Sequence, residues 1–301
     1  MLMIRKAILL IFLLSLALMT GAEERALLVG IGKYDTKRTG WSRLHGDRDA
    51  DMIRDALLRN GVKKENIITV KNEQATKAGI IEALKEFAAT CKPGDRALLL
   101  FSCHGQPVTD LNKDESKKPF DEAIVAYDAC RTSRYKNGEY LYNGENHLID
   151  DELNPLLQAI KKRLGKSGYL FVAFDACFSE GLEMAKSMVA REDVDHIGPI
   201  RGTSEVFLLK PGSSLSSVPK PKGFSGGARM AVVSACRDNE RNYEYRHPTT
   251  RQVHGSLSYC LLRLLDSGYV FKGWEAFFEN EQYKEWNIFI SLQHPEIKIY
   301  R

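Results

Sequence analysis

This sequence lacks several features that would have placed it at once. It has no dense basic stretch: 43 Lys and Arg are set against 39 Asp and Glu, a net charge of +4, and they are scattered along the chain. That excludes the electrostatic footprint of a nucleic-acid-binding protein. It has no Cys-x-x-Cys pair and no Cys/His cluster with zinc-finger spacing, although it holds six Cys. Nor do the Cys spacings make a disulfide framework. Cys103, Cys177 and Cys236 each end an apolar run, and Cys91 and Cys260 sit in helical patterns, so most read as small buried residues. Internal repeats are absent. Gly30-Ile31-Gly32 follows an apolar run, but the third glycine of a dinucleotide loop is missing and no helix pattern follows at once.

The longest apolar run, Ala7 to Met19, is 13 residues with Ser15 its one polar member. A membrane helix needs about 20. Arg5-Lys6 precede the run, and Thr20-Gly21-Ala22 offer small residues after it. This order reads as a secretory signal peptide over residues 1–22, and so as export to the periplasm or cell exterior. No Cys stands near the junction for a lipid anchor.

Beyond residue 23, short apolar runs alternate with amphipathic helices. Strands are expected at 25–31, 66–70, within 95–105 up to the His-Gly, 122–127, within 169–179 up to the Cys, 228–235 and 296–300. Helices are expected at 49–60, 76–90, 151–164, 256–265 and 274–286, with a shorter one at 180–190. The order predicts an α/β fold with a mostly parallel central sheet and helices on both faces, its strands continuous apolar runs because both faces are covered. Residues 181–227 differ: Pro199, Pro211, Pro219, Pro221 and a Ser-rich patch at 213–217 read as a long exposed connection.

Two strand ends carry the chemistry. Leu98-Leu99-Leu100-Phe101-Ser102-Cys103-His104-Gly105 stops at a His-Gly, and Phe171-Val172-Ala173-Phe174-Asp175-Ala176-Cys177 stops at a Cys. In a parallel sheet both tips reach the same edge, where ligands bind. A Cys and a His delivered there can act as nucleophile and proton acceptor, and a backbone N–H at the strand end can hold an oxyanion.

Phe101-Ser102-Cys103-His104-Gly105 resembles the motif around the catalytic His of caspases and metacaspases. Phe174-Asp175-Ala176-Cys177-Phe178-Ser179 resembles their catalytic Cys motif in its Asp-small-Cys form. Ala26 to Tyr34, Leu44 to Ala50, Ser234 to Arg237 and His254 to Leu257 are similar to the family's first strand, its turn into the first helix, and its small-subunit strand and helix. The resemblance implies a caspase-like three-layer α/β/α sandwich. It divides residues 23–301 into a large-subunit-like part (23–180), the connection (181–227) and a small-subunit-like part (228–301). It also implies an endopeptidase in which Cys177 is the nucleophile, His104 the proton shuttle, and the N–H groups of Gly105 and Cys177 the oxyanion hole.

Specificity follows from charge. Where caspases have a Gln in the Cys motif, this chain has Asp175. In metacaspase-type relatives that Asp joins the helix-entry Asp, here Asp49, and Ser102 aligns with a pocket hydroxyl. Two carboxylates in a partly desolvated pocket suit a guanidinium, so cleavage after Arg or Lys is expected. Asp49 also fits a helix N-cap. The chain departs from many relatives at Cys103, where they have Gly and where a thiol could oxidise, and at Glu180, an added carboxylate near the site.

Lys186, Arg191, Arg201, Lys210, Lys220 and Lys222 lie in the connection, so an Arg/Lys-specific peptidase could cut itself there, at a bond the sequence does not choose. No cofactor is expected. The acidic residues Asp110, Asp114, Glu115, Asp121 and Glu122 leave calcium activation open, since some metacaspases bind calcium through acidic loops. The expected partners are protein or peptide substrates with Arg or Lys before the scissile bond. The rival reading is a catalytically inert caspase-fold binding protein, which need not keep Cys177, His104, Asp175 and Asp49 together.

Overall fold

The computed structural model describes residues 21–111, 120–177, 197–220, 223–237, 240–267 and 293–301. The strands in chain order are β1 (Glu24–Gly30), β2 (Ile67–Lys71), β3 (Arg96–Ser102), β4 (His104–Thr109), β5 (Phe120–Val125), β6 (Arg134–Lys136), β7 (Glu139–Tyr142), β8 (His147–Ile149), β9 (Tyr169–Asp175), β10 (Ile197–Ile200), β11 (Arg229–Ser234), β12 (Tyr243–Arg246), β13 (Val253–Gly255) and β14 (Glu296–Tyr300). The main helices are α1 (Gly46–Arg59), α2 (Lys77–Thr90), α3 (Asp150–Leu164) and α4 (Ser256–Asp266).

Six strands form the central sheet in the order β14-β11-β9-β3-β1-β2, parallel except for the antiparallel edge strand β14. Alternate residues of each strand feed two cores. Leu27, Val29, Leu99, Phe101 and Val172 pack under α2 and α3. Ala26, Leu28, Leu98, Leu100, Phe171 and Ala173 pack under α1 and α4. This is the expected three-layer sandwich. The register pairs Ser102 with Asp175 at the ends of β3 and β9, so His104 and Cys177 each follow two residues beyond one registered pair.

Two expectations are corrected. The strand expected at 122–127 is not part of the central sheet: β5 folds back antiparallel between β4 and β8. Its buried and half-buried residues alternate at first, the pattern of a strand with one partly wet face. The connection is not an exposed loop where it is described. Residues 197–200 pair antiparallel with β12, and Arg201, Phe207 and Leu215 are buried. Phe207 is held there by its neighbours, its ring 4.7 Å from that of His147 and 5.7 Å from that of Tyr142. Prolines and serines made the segment look solvated, but the pairing strand β12 lies more than forty residues further on.

The expected helices at 180–190 and 274–286, and nearly all of the expected signal peptide, lie outside the described residues. Among the described residues no helix is long and apolar enough to cross a membrane.

Helix α1 enters against the strand tips without side chains between. A Cβ on Gly46 would lie 2.1 Å from the carbonyl oxygen of Ser102, and one on Gly30 would lie 2.2 Å from that of Gly46. A Cβ on Gly32 would likewise lie 2.8 Å from the carbonyl oxygen of Leu44, so close packing at the helix entry accounts for the Gly30 and Gly32 spacing. Gly46→Ala should therefore destabilise the fold by about 1–3 kcal/mol or more through overpacking. A urea midpoint indistinguishable from wild type would contradict the close approach.

Candidate active site

The site forms where the tips of β3 and β9, the start of α1, the strand β12 and the N-terminus of α4 converge. Its floor is a buried ionic cluster. Asp49 lies in the first turn of α1, not at the N-cap, which His45 occupies without a side-chain cap. Its carboxylate accepts hydrogen bonds from Ser102 Oγ at 2.8 Å and from the Gly255 N–H at 3.0 Å. Asp175 ends β9 and accepts from Asn242 Nδ2 at 2.8 Å and from the N–H and Oγ of Ser258, both at 2.7 Å, at the first turn of α4. The three expected pocket residues, Asp49, Asp175 and Ser102, thus come together, each fully buried.

A third carboxylate, Glu244 on β12, completes the cluster. It accepts from the His45 N–H at 2.8 Å and lies 2.6 Å from His45 Nδ1. Glu244, Asn242, Ser258 and His45 were not read from the sequence as pocket residues. The one available signal was Glu244 standing between Tyr243 and Tyr245 in a short strand, a carboxylate on the face opposite the aromatic side chains.

The cation in this pocket is Arg201. Its Nη2 donates to Asp49 Oδ2 at 2.6 Å and to Glu244 Oε1 at 2.8 Å. Its Nη1 donates to Ser102 Oγ at 2.6 Å, and its Nε lies 3.8 Å from Asp175 Oδ1. Burial alone would raise the carboxyl pKa of Asp49 and of Glu244; Arg201, aided by His254 and His45 respectively, holds both below their ordinary values. For Asp175 burial wins, and its pKa is raised despite Arg201, with the charge of Asp49 adding to the rise. Burial acts to lower the Arg201 pKa, but the three carboxylates outweigh it and the guanidinium is held charged more firmly than usual.

Above the pocket two backbone donors converge. The Gly105 N–H (3.2 Å) and the Cys177 N–H (2.9 Å) both donate to the carbonyl oxygen of Arg201. Two N–H groups aimed at one oxygen make an oxyanion hole in form. Cys177 is buried, and its thiol donates to the Glu240 carbonyl at 3.7 Å. Cys236, at the end of β11, is hydrogen-bonded to Cys177, and that bond together with burial pushes the Cys236 thiol pKa far up.

His104 begins β4, its ring stacked on Trp41 at 4.7 Å and tilted against Tyr34 at 5.1 Å. Its Nε2 lies 2.9 Å from the carbonyl oxygen of Ser42. That acceptor requires a proton on Nε2, which leaves Nδ1 as a lone-pair acceptor in the neutral ring. Nδ1 is buried and has no hydrogen-bond partner. Ser42 lines the same cleft as Cys177, Gly202, Thr203 and Arg131. Burial pushes the His104 pKa down to about 4, against the bond to Ser42. Cys103, beside it, is fully buried, and burial pushes its thiol up to about 12, so it is no ready target for oxidation. All six cysteines are buried, and none is in a disulfide.

For a cation, Asp121, Asp150 and Asp151 each offer a carboxylate oxygen, all within 4.8 Å of one another. Asp121 belongs to the acidic stretch noted in the sequence; Asp114 and Glu115, like Glu180, lie outside the described residues.

Residues 24–184, more than half of the chain, match the model of the family described as metacaspase, peptidase C14 domain. Metacaspase-2 of Arabidopsis thaliana is 26% identical over 255 residues, covering 82% of this chain and 53% of the relative. Metacaspase-1 of Schizosaccharomyces pombe is 28% identical over 167 residues, covering 53% of this chain and 34% of the relative. The chain thus spans about half, or less, of the length of these curated relatives. A crystal structure of a Geobacter sulfurreducens protein superposes with a TM-score of 0.60 at 20% identity, covering 92% of this chain and 93% of that one, a likeness of fold.

Burial also lowers the pKa of His147, to about 3. Both His104 and His147 bind fewer protons folded than unfolded. Their contribution to stability is therefore complete above the unfolded pKa of about 6.5 and is lost as pH falls toward 4 and then 3. The unfolding free energy from urea titrations should drop between pH 7 and 4.5, by roughly 2 kcal/mol or more per histidine, and the midpoint should fall with it. A flat midpoint over that range would contradict the buried neutral rings.

Proposed function

Because this chain belongs to the metacaspase family of peptidase C14, we propose that it is a cysteine endopeptidase that cuts after Arg or Lys. The observation that carries the reading is a guanidinium seated among Asp49, Asp175, Glu244 and Ser102, with its carbonyl oxygen between the N–H groups of Gly105 and Cys177. A substrate Arg placed in the same way brings its carbonyl carbon to the nucleophile.

The Cys177 thiol passes its proton to His104 Nδ1 and adds to the carbonyl carbon. The oxyanion is held by the two N–H groups. The C–N bond breaks as His104 returns the proton to the leaving amine. Water, deprotonated by His104, then releases the acyl group from Cys177. The lowered His104 pKa keeps the ring neutral, and so able to accept, well below pH 6.5.

Self-processing within 181–227 and export through residues 1–22 belong to the same proposal. The first strand starts at Glu24, two residues past the expected cleavage point, which supports a mature chain beginning at Glu23. Calcium activation also stays a proposal. The oxygen donors of Asp121, Asp150 and Asp151 are the kind that suits Ca²⁺, so calcium is varied in the assay below. The inert-binder reading predicts no turnover at all.

Fluorogenic peptides ending in Arg, Lys or Asp test the proposal. Arg and Lys peptides should be hydrolysed, Asp peptides not, and Cys177→Ala should abolish turnover. Asp175→Asn should lower kcat/KM for Arg peptides by roughly two to four orders of magnitude, the scale of about 3–5 kcal/mol for breaking a buried ion pair. Cleavage after Asp would refute the pocket. Turnover that survives Cys177→Ala would refute the nucleophile.

A further inference from the structure

The segment from Ile197 to Thr203 lies across the site as a substrate does. On the upstream side, β10 adds an antiparallel strand to β12, with Ile200 opposite Tyr243, and the Arg201 N–H donates to the Asn242 carbonyl at 2.9 Å. An extended peptide laid on a sheet edge is a common mode of peptide recognition. The Arg201 side chain is fully buried in the acidic pocket. Its carbonyl oxygen is the one both oxyanion-hole donors reach.

On the downstream side, Gly202 bridges in parallel to both Gly105 and Cys177, and the Thr203 N–H donates to the Gly105 carbonyl at 3.3 Å. A Cβ on Gly202 would lie 2.4 Å from the carbonyl oxygen of Cys177 and 2.7 Å from that of Gly105, both backbone atoms. Only glycine fits this close to the nucleophile without displacing the chain. Further along, Phe207 exchanges backbone bonds with β4: its N–H donates to the Pro107 carbonyl at 2.8 Å, and its carbonyl accepts from Thr109 at 3.1 Å. The Arg201–Gly202 bond is therefore held from both sides over Cys177.

Of the Lys and Arg residues in the connection, Lys210 and Lys220 are also described, and neither is buried; Arg201 is the one in the pocket. We propose that Arg201–Gly202 is the bond at which this chain cuts itself, and that until it is cut the 197–203 segment closes the site to other chains. This rests on the peptidase reading above. The step balances as one hydrolysis. Cys177 sulfur bonds to the Arg201 carbonyl carbon, the bond to Gly202 nitrogen breaks, and that nitrogen leaves as an amine carrying the proton relayed by His104. One water then converts the thioester to the Arg201 carboxylate and restores the thiol. Because the bond sits in its own chain's site, the cut is intramolecular.

The test follows the purified full-length chain by intact mass and N-terminal sequencing, over a hundredfold range of concentration, with and without calcium. The expected result is a fragment beginning Gly202-Thr203-Ser204, formed at a rate independent of concentration. Cys177→Ala should stay whole, even when mixed with wild type. Arg201→Gln and Gly202→Val should also stay whole. Arg201→Gln changes the occupant and removes none of the residues that line the pocket; chain shown to be folded by circular dichroism should hydrolyse an Arg-ending fluorogenic peptide without delay. Wild type should show a lag that ends as the fragment appears. A chain that hydrolyses the peptide while remaining whole, a first cut at another bond, or cutting of the Cys177→Ala chain by wild type would each overturn the inference and leave the peptidase reading intact. Failure of both the folded Arg201→Gln chain and the cut wild-type chain to hydrolyse any Arg peptide would instead count against the peptidase reading.

Discussion

The structure turns on one interaction, the burial of a guanidinium among three carboxylates. Asp49, Asp175 and Glu244 come from a helix start, a strand end and a neighbouring small sheet, and all are removed from water. Such groups are tolerated only when paired and hydrogen-bonded. The fold supplies the hydrogen bonds through Ser102, Ser258, Asn242, Gly255 and His45. It leaves the countercharge to whatever occupies the pocket. The planar fork of Arg201 donates to Asp49 and Glu244 together because its N–H groups point in fixed directions, and its Nε lies 3.8 Å from Asp175.

The same arrangement fixes the Arg201 carbonyl. With the guanidinium seated, the backbone of the occupant has little freedom. The Asn242 carbonyl takes its N–H, and the Gly105 and Cys177 N–H groups take its carbonyl oxygen. Recognition and positioning are therefore one event, which is how side-chain binding can be turned into orientation for chemistry. The neutral, stacked ring of His104 adds a proton acceptor whose tautomer is set by the Ser42 carbonyl.

Much of this was legible in the sequence because the central sheet is buried on both faces. The continuous apolar runs at 96–102 and 169–175 mark strands wherever they occur, and their polar ends mark the active edge. Asp49, Ser102, His104 and Cys177 stand at such ends or at a helix start, so motif and periodicity pointed the same way. Glu244 and Asn242 lay hidden because β12 is short and one of its two partners is sequence-distant: β10 comes more than forty residues before it. Arg201 was one basic residue among several in a Pro- and Ser-rich stretch, and composition reports solvation rather than pairing. Its burial depends on contacts with residues 26 to 152 positions away.

The central claim of the proposed function is that this pocket needs a positively charged occupant, which matching length alone does not replace. Citrulline differs from arginine in replacing one guanidinium nitrogen with oxygen, which removes the charge and keeps the length. The most direct measurement is kcat/KM for two peptides identical except for Arg or citrulline before the scissile bond. The account predicts a preference for Arg of roughly two orders of magnitude or more, since an uncharged occupant leaves buried carboxylates unpaired. Equal rates on the two peptides would contradict it.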